Sequence, residues 1–263
     1  MSALMKIALT QQETAWEDPA ANMRACARLA EDAARAGAAL VVFPEFTLTG
    51  FTPRPRAFAD APGAAPQLDF FRALSRRLPL GLAFGCIRAA EPDAPQNRLV
   101  VVRNGTVLLD YAKLHSYSFG GETRAYSRGA DLFTTAFEGF TLGGLICYDL
   151  RFPELFRTLA LQGVELLLLP AQWPAARRYH WETLTAARAI ENQFFLAACN
   201  SCGTAGETVF GGASRILGPR GELLAAAGAG EEIVTAALDF SVLAEVRNSI
   251  NVFHDRRPEL YRL

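Results

Sequence analysis

Histidine and lysine are scarce in this chain. Of 263 residues, three are histidine, and Lys6 and Lys113 are the lysines; arginine supplies nearly all of the 26 positive charges. No pair among His115, His180 and His254 has H-E-x-x-H spacing, which excludes a zinc-protease helix. A Ser-His-Asp triad or a histidine metal site would need distant partners, and no metal site is predicted. Charge of one sign is also lacking. The 27 acidic residues leave a net charge of −1, with no basic surplus for phosphate backbones or anionic membranes. Neither a nucleic-acid nor a membrane partner is expected. Apolar runs of bilayer length are missing: Val164–Ala171 is short and interrupted by Glu165. Met1–Thr10 passes straight into a strand-like pattern, so no signal peptide is predicted. The five cysteines, Cys26, Cys86, Cys147, Cys199 and Cys202, are odd in number and scattered. That argues against a disulfide framework and makes a reducing cytoplasm the expected location. G-x-S-x-G, P-loop and G-x-G-x-x-G motifs are absent, which removes local support for a serine-hydrolase elbow, an NTPase or a dinucleotide-binding fold.

What remains is a core-forming composition. Hydrophobic residues make up 51% and charged residues 20%, so a disordered chain is excluded. The length suits one large α/β domain or two small ones. Lys6–Thr10 reads as a strand. A helix opened by Asp18-Pro19 runs to about Ala36 and ends at Gly37. Leu40–Phe43 reads as a buried strand, Pro44–Pro66 as a long proline-containing loop, and Leu68–Leu78 as a second helix. Strands follow at Gly81–Ile87, Arg98–Val102 and Val107–Tyr111, the last pair turning at Asn104-Gly105. Ser116–Gly129 is a polar loop. Leu132–Phe137 and Phe140–Ile146 form a hairpin around Glu138-Gly139. The second half repeats the alternation: helix Pro153–Gln162, strand Leu166–Leu169, helix Tyr179–Asn192 and strand Phe195–Cys199. Val209–Leu217 and Glu222–Ala226 read as a hairpin, Ile233–Asp239 as a last strand and Val242–Asn248 as a short helix. No linker or repeat of fixed period is visible. Strands in two layers with helices on both outer faces pack this order naturally.

Three strand ends carry reactive side chains. Cys147 ends Phe140–Ile146 and precedes Tyr148-Asp149-Leu150-Arg151-Phe152-Pro153-Glu154, where a helix begins. A thiol at such a turn projects from the sheet, and the N–H of Tyr148 can face a developing oxyanion. Buried cysteines are common, so position alone leaves the structural reading open. A thiol nucleophile also needs a base. Glu45 follows Val41-Val42-Phe43-Pro44, and a strand-end acid in a cleft can serve as general base near neutral pH. It could equally be a solvated loop acid. Lys113 ends another strand, and in an arginine-rich chain an interior lysine is notable, because an amine and a guanidinium differ in size and donor geometry. Cys199-Asn200-Ser201-Cys202 is a C-x-x-C sequence; it lies at a strand end without a second pair, which favours two ordinary cysteines over a redox or metal motif.

Pro44-Glu45, Lys113-Leu114-His115 and the run from Cys147 to Glu154 resemble, in order and spacing, the three signatures of the nitrilase superfamily of carbon–nitrogen hydrolases. The likeness continues through Pro170-Ala171-Gln172-Trp173-Pro174, His180-Trp181 and Ala187–Gln193, and spans Lys6 to about Asp239. The resemblance implies an α/β fold, an αββα sandwich of two mixed sheets flanked by helices, as a single domain over residues 1–263 with a peripheral tail from about 249. It implies a Glu45–Lys113–Cys147 triad, with the Tyr148 N–H at the oxyanion and no cofactor. It also places Glu122 beside Lys113, where by itself Glu122 reads as a loop acid.

Within the superfamily, Phe46–Phe51 and the Trp173 and His180-Trp181 segments look most like the omega-amidase branch, which deamidates dicarboxylic acid monoamides such as 2-oxoglutaramate. That branch often has Arg after the Asn at position 200, where Ser201 stands here. N-carbamoyl amide hydrolases and other aliphatic amidases are the alternatives; a C-x-x-C redox protein or a non-catalytic binder is a further one. Cys147-Tyr148-Asp149 looks amidase-like rather than like the Cys-Trp-Glu of true nitrilases. Arg54, Arg56, Arg124, Arg177 and Arg178 lie in or beside the loops expected to rim the cleft and could grip a substrate carboxylate. Tyr117 and Trp173 are further binding candidates. The resemblance also implies a homodimer or higher homo-oligomer through helices Pro153–Gln162 and Tyr179–Asn192.

Overall fold

The computed structural model describes residues 4–89, 91 and 94–261. The strands are β1 (Leu4–Gln11), β2 (Leu40–Val42), β3 (Gly81–Ala89), β4 (Pro95–Arg103), β5 (Thr106–Ala112), β6 (Thr134–Phe137), β7 (Phe140–Gly144), β8 (Leu166–Ala171), β9 (Phe195–Asn200), β10 (Thr204–Ala205), β11 (Thr208–Val209), β12 (Arg215–Leu217), β13 (Leu223–Ala226) and β14 (Glu232–Asp239). The α-helices are α1 (Pro19–Arg35), α2 (Pro66–Arg77), α3 (Glu122–Ala125), α4 (Pro153–Leu161), α5 (Arg178–Asn192) and α6 (Val242–Ser249). Among the described residues no helix is long and apolar enough to cross a membrane.

Local chemistry accounts for the boundaries. Pro19 fits the first turn of α1, and the Asp18 carboxylate caps it by accepting from the Ala21 N–H at 2.9 Å. Asn104 and Gly105 both have positive φ (49° and 75°), the primed turn that joins β4 to β5. The expected strand Val209–Leu217 is instead broken between Val209 and Arg215. Gly212 and Ala213 take positive φ (58° and 57°), which ends ladder pairing. Asn200 Nδ2 then donates to the Gly212 carbonyl at 2.8 Å, and the Ser214 N–H donates to Gln11 Oε1 at 2.9 Å.

Two six-stranded sheets result, ordered β14-β1-β2-β3-β4-β5 and β13-β12-β9-β8-β7-β6. From β14, the first sheet runs antiparallel, parallel, parallel, antiparallel, antiparallel. From β6, the second sheet runs in the same pattern. The two halves correspond in topology although no sequence repeat marks them. Burial alternates along the first sheet: Val41, Leu82 and Phe84 pack against Cys26, Ala30, Phe71 and Leu74 of α1 and α2. Leu40, Val42 and Ala83 face a second, larger core. That core also holds both apolar sides of β8 and β9, with Phe156, Leu159, Trp181 and Ala189 of α4 and α5. The stacked sheets touch where Cys199 Sγ on β9 donates to the Val42 carbonyl on β2 at 3.2 Å. The architecture is the αββα sandwich. Beyond residue 249, Phe253 packs on the core beneath the guanidinium groups of Arg157 and Arg247.

Candidate active site

Both sheets deliver residues to one end of the sandwich. Glu45 sits three residues past the end of β2, in a turn that β3 approaches closely. A Cβ at Gly85 would lie 2.4 Å from the Phe46 nitrogen and 2.8 Å from the Glu45 Cα, so only glycine lets the two backbones meet there. Lys113 follows β5, and its N–H extends the ladder by donating to the Asn97 carbonyl at 2.9 Å. Cys147 follows β7 after two residues and adopts φ 44°, a left-handed conformation unfavourable for a residue with a Cβ. It opens a short 3-10 turn, Cys147–Arg151. Glu122 is the first residue of α3.

The four side chains share one buried cluster. Lys113 Nζ donates to Glu45 Oε1 at 2.9 Å and to Glu122 Oε1 and Oε2 at 3.0 and 2.9 Å. Asn97 Nδ2 bridges the same carboxylates, at 2.6 Å from Glu45 Oε1 and 3.0 Å from Glu122 Oε1. The Gln172 N–H, just past β8, donates to Glu45 Oε2 at 2.9 Å, and the Tyr117 N–H donates to Glu122 Oε2 at 2.6 Å. Glu45, Glu122 and Lys113 are each nearly inaccessible (side chains 3–4% exposed).

Burial governs the electrostatics. Alone it would push the Lys113 ammonium down, but Glu122 and Glu45 outweigh it and hold that group well above its ordinary value. Burial would push Glu122 up; the Lys113 charge, with hydrogen bonds from Asn97 and Tyr117, holds it below its ordinary value. The Cys147 thiol is raised well above its usual value, first by burial and then by the negative charge of Glu45. The resting site thus favours a protonated thiol beside a carboxylate.

Glu45, Lys113, Glu122 and Cys147 line a cavity of about 200 Å³, joined by Tyr117, Tyr148, Trp173 and Arg177. Of the five arginines expected to rim the cleft, only Arg177 lines this cavity; the other four lie elsewhere. Arg178 is on the first turn of α5 and pairs with Glu182, four residues on. Arg124 lines a neighbouring cavity of about 690 Å³ with Arg54 and Arg56; that cavity shares Phe51 and Gly120 with the first. Arg54 is paired with Glu17.

Sequence reasoning missed Arg151 and Asn97. Arg151 lines the 200 Å³ cavity, its guanidinium 4.9 Å above the Trp173 ring and 6.0 Å from that of Tyr148. Arg177 Nη2 donates to the Tyr117 hydroxyl at 3.0 Å. Among the described residues neither Arg151 nor Arg177 has a carboxylate partner. The C-x-x-C pair has no such setting. Cys199 and Cys202 are buried free thiols, and burial raises both, Cys202 to about 11, the opposite of a reactive redox thiol.

The family model described as "Carbon-nitrogen hydrolase" matches residues 6–248. The 2-oxoglutaramate amidase of Bacillus subtilis is 35% identical over 224 residues, covering 84% of this chain and 86% of that protein. Omega-amidase YafV of Yersinia enterocolitica is 35% identical over 256 residues, covering 95% and 96%. Among solved structures, XC1258 from Xanthomonas campestris, a CN-hydrolase superfamily protein, superposes with a TM-score of 0.91 at 30% identity, covering 97% of each chain. Matched over nearly its whole length in sequence and in fold, the chain belongs to the carbon–nitrogen hydrolase family of the nitrilase superfamily.

Proposed function

We propose that this hydrolase releases ammonia from short ω-amides of dicarboxylic acids through a thioester on Cys147. One observation carries the reading. Thiol, carboxylate and ammonium converge on a small cavity that also presents two arginines without acidic partners. About 200 Å³ is below the ~300–1,000 Å³ of drug-sized sites, which suits a short acyl chain. Arg151 and Arg177 complement a carboxylate at its far end, with the Tyr117 hydroxyl beside Arg177. The names of the Bacillus and Yersinia relatives support the same substrate class.

In the mechanism, Glu45 takes the Cys147 proton as the sulfur attacks the amide carbonyl. Lys113 Nζ and the Tyr148 N–H hold the oxyanion. The tetrahedral adduct collapses to the thioester, and protonated Glu45 delivers its proton to the departing ammonia. Glu45 then draws a proton from water, which attacks the thioester; the acid leaves and the thiolate recovers the proton. One acid–base group serves both halves. Glu122 acts through Lys113, holding the ammonium with two oxygens so that it stays charged and aimed. We also infer self-association through α4 and α5, where Leu161 and Ile190 are half exposed (50% and 52%). Light scattering giving only a monomer mass would refute that.

The test compares each ω-amide acid with its neutral methyl ester by ammonia release. The free acid is expected to win mainly in kcat/KM, because remote binding energy positions the amide. Arg177→Gln or Arg151→Gln should narrow the gap. Equal rates on acid and ester would refute carboxylate recognition and favour a neutral or carbamoyl amide.

A further inference from the structure

The Cys147 turn needs an explanation of its own. A non-glycine residue at φ 44° is strained and persists only where its surroundings over-determine it. The residue that does so is Asp149, which is fully buried. Its Oδ2 accepts from the Ile146 N–H at 3.0 Å, directly before the cysteine. The same oxygen accepts from the Tyr111 hydroxyl at 2.7 Å, two residues before Lys113. Oδ1 accepts from the His115 N–H at 3.0 Å and lies 3.0 Å from His115 Nδ1, two residues after Lys113. A carboxylate only accepts, so Nδ1 carries the proton. A second link joins the same segments: the His115 ring stacks on Phe152, which closes the cysteine turn, at 3.6 Å and 10°. Tyr111 and His115 straddle Lys113; Ile146 and Asp149 straddle Cys147. One carboxylate therefore ties the strand end carrying the ammonium to the turn carrying the thiol.

We propose that Asp149 is a positioning residue that sets where the Cys147 sulfur stands relative to Lys113 and Glu45. The proposal rests on the reading above, that these three groups act together. Asparagine makes the demand plain. Its single acceptor oxygen can hold the Ile146 N–H or the His115 N–H, and its NH₂ must then face the other donor. Neither backbone group can rotate away, so one of the two segments is released. Misplacing reacting atoms by about 1 Å costs roughly 10²-fold.

The experiment measures steady-state ammonia release and, separately, the rate at which iodoacetamide alkylates Cys147, mapped by peptide mass spectrometry. Cys26 and Cys86, buried and raised by desolvation, serve as unreactive references. Asp149→Asn is expected to lower kcat by roughly 10²-fold, with KM changed less because Arg177 and its contact with Tyr117 lie outside the released turn. Cys147 alkylation should slow with it. Tyr111→Phe keeps the ring and removes the hydroxyl, which donates to Asp149 and accepts from the Leu114 N–H at 3.2 Å; it should lower kcat up to roughly tenfold in the same direction. Should Asp149→Asn lose its cooperative unfolding transition, Tyr111→Phe decides the matter. Wild-type kcat in both variants, or a fall in kcat with Cys147 alkylation unchanged, would overturn the proposal. If the wild type hydrolyses no ω-amide, the alkylation rates still test the clamp, so the two readings fail separately.

Discussion

Replacing Lys113 with methionine tests the electrostatics of the site at its centre. The ammonium stands within 3.0 Å of three carboxylate oxygens, and both acids are all but inaccessible. Methionine keeps most of the side chain's length, ending where the ammonium would begin, and removes its charge. Glu45 Oε1 and Glu122 Oε1 would then share a single cationless donor, Asn97 Nδ2. Removing one partner from a buried ion pair costs about 3–5 kcal/mol. For a chain of this size that is a melting-temperature fall of roughly 6–20 °C near neutral pH. The pH dependence follows from the directions of the shifts. In the wild type Glu122 is held below its ordinary 4.5, so its contribution is present above that value and is lost as pH falls through the lowered one. Lys113 is held above its ordinary 10.5, so its contribution is complete below that value and is lost only as pH rises through the raised one. Without the ammonium, burial, the largest influence on Glu122, is opposed only by the hydrogen bonds from Asn97 and Tyr117, and the carboxyl moves up from its wild-type position. The variant's buried Glu122 then takes up a proton on acidification and is relieved, while the wild type keeps its ion pair until the pH falls below 4.5. The deficit should be widest at about pH 8 and should narrow by about pH 5, read from urea denaturation followed by tryptophan fluorescence. A deficit of equal size at both values would show that the two carboxylates are not forced together as ions, and the electrostatic account would fall.

The same lysine separates charge from shape. Lys113→Arg keeps the charge but fans its donors in a plane, and should cost roughly 10²–10³ in kcat by ammonia release; near-native activity would show that charge alone matters. Cys147→Ser and Cys147→Ala are expected to abolish turnover with the circular dichroism spectrum unchanged, and a serine variant near the wild-type rate would remove Cys147 from the mechanism. The double variant Cys199→Ser/Cys202→Ser should keep its activity, since both thiols are buried and raised; loss of turnover in a folded double variant would revive a redox role.

Much of this was legible because strand ends are legible. Glu45, Lys113 and Cys147 each follow an apolar run with a turn signal behind it, so their convergence could be read before any coordinates. Asn97 escaped because the strand was expected to begin at Arg98; β4 starts at Pro95, which makes Asn97 a buried polar residue inside a strand. Such a residue asks for a partner, and here it has two. Arg151 and Asp149 lay inside the quoted motif, yet nothing in the spacing says that one faces the cavity and the other faces inward. Those directions follow from the 3-10 turn opened by Cys147 at positive φ, and a local pattern does not reveal such a turn. Arg124 and Arg178 show the converse. Nearness in sequence to cleft loops did not place them in the cavity, because the first turn of α5 directs Arg178 to Glu182 and Arg124 lies on the far side of Gly120 and Gly121.

The pairing of β1 with β14 sets a timetable for the chain. Leu4 lies opposite Asp239 and Gln11 opposite Glu232, so every residue of the first strand waits for one of the last. The second sheet draws on a continuous stretch, β6 to β13, and can assemble as it is made. The first cannot. Until β14 emerges from the ribosome, β1 presents a bare, apolar edge, the feature that invites sheet-to-sheet association between nascent chains. A contact between the two ends of the chain is also among the slowest to form. Cutting the chain before Glu232 removes no member of the Glu45–Lys113–Glu122–Cys147 cluster, yet the truncated protein should leave the soluble fraction on expression. Its recovery as a monodisperse, active enzyme would show that the first sheet closes without its final strand.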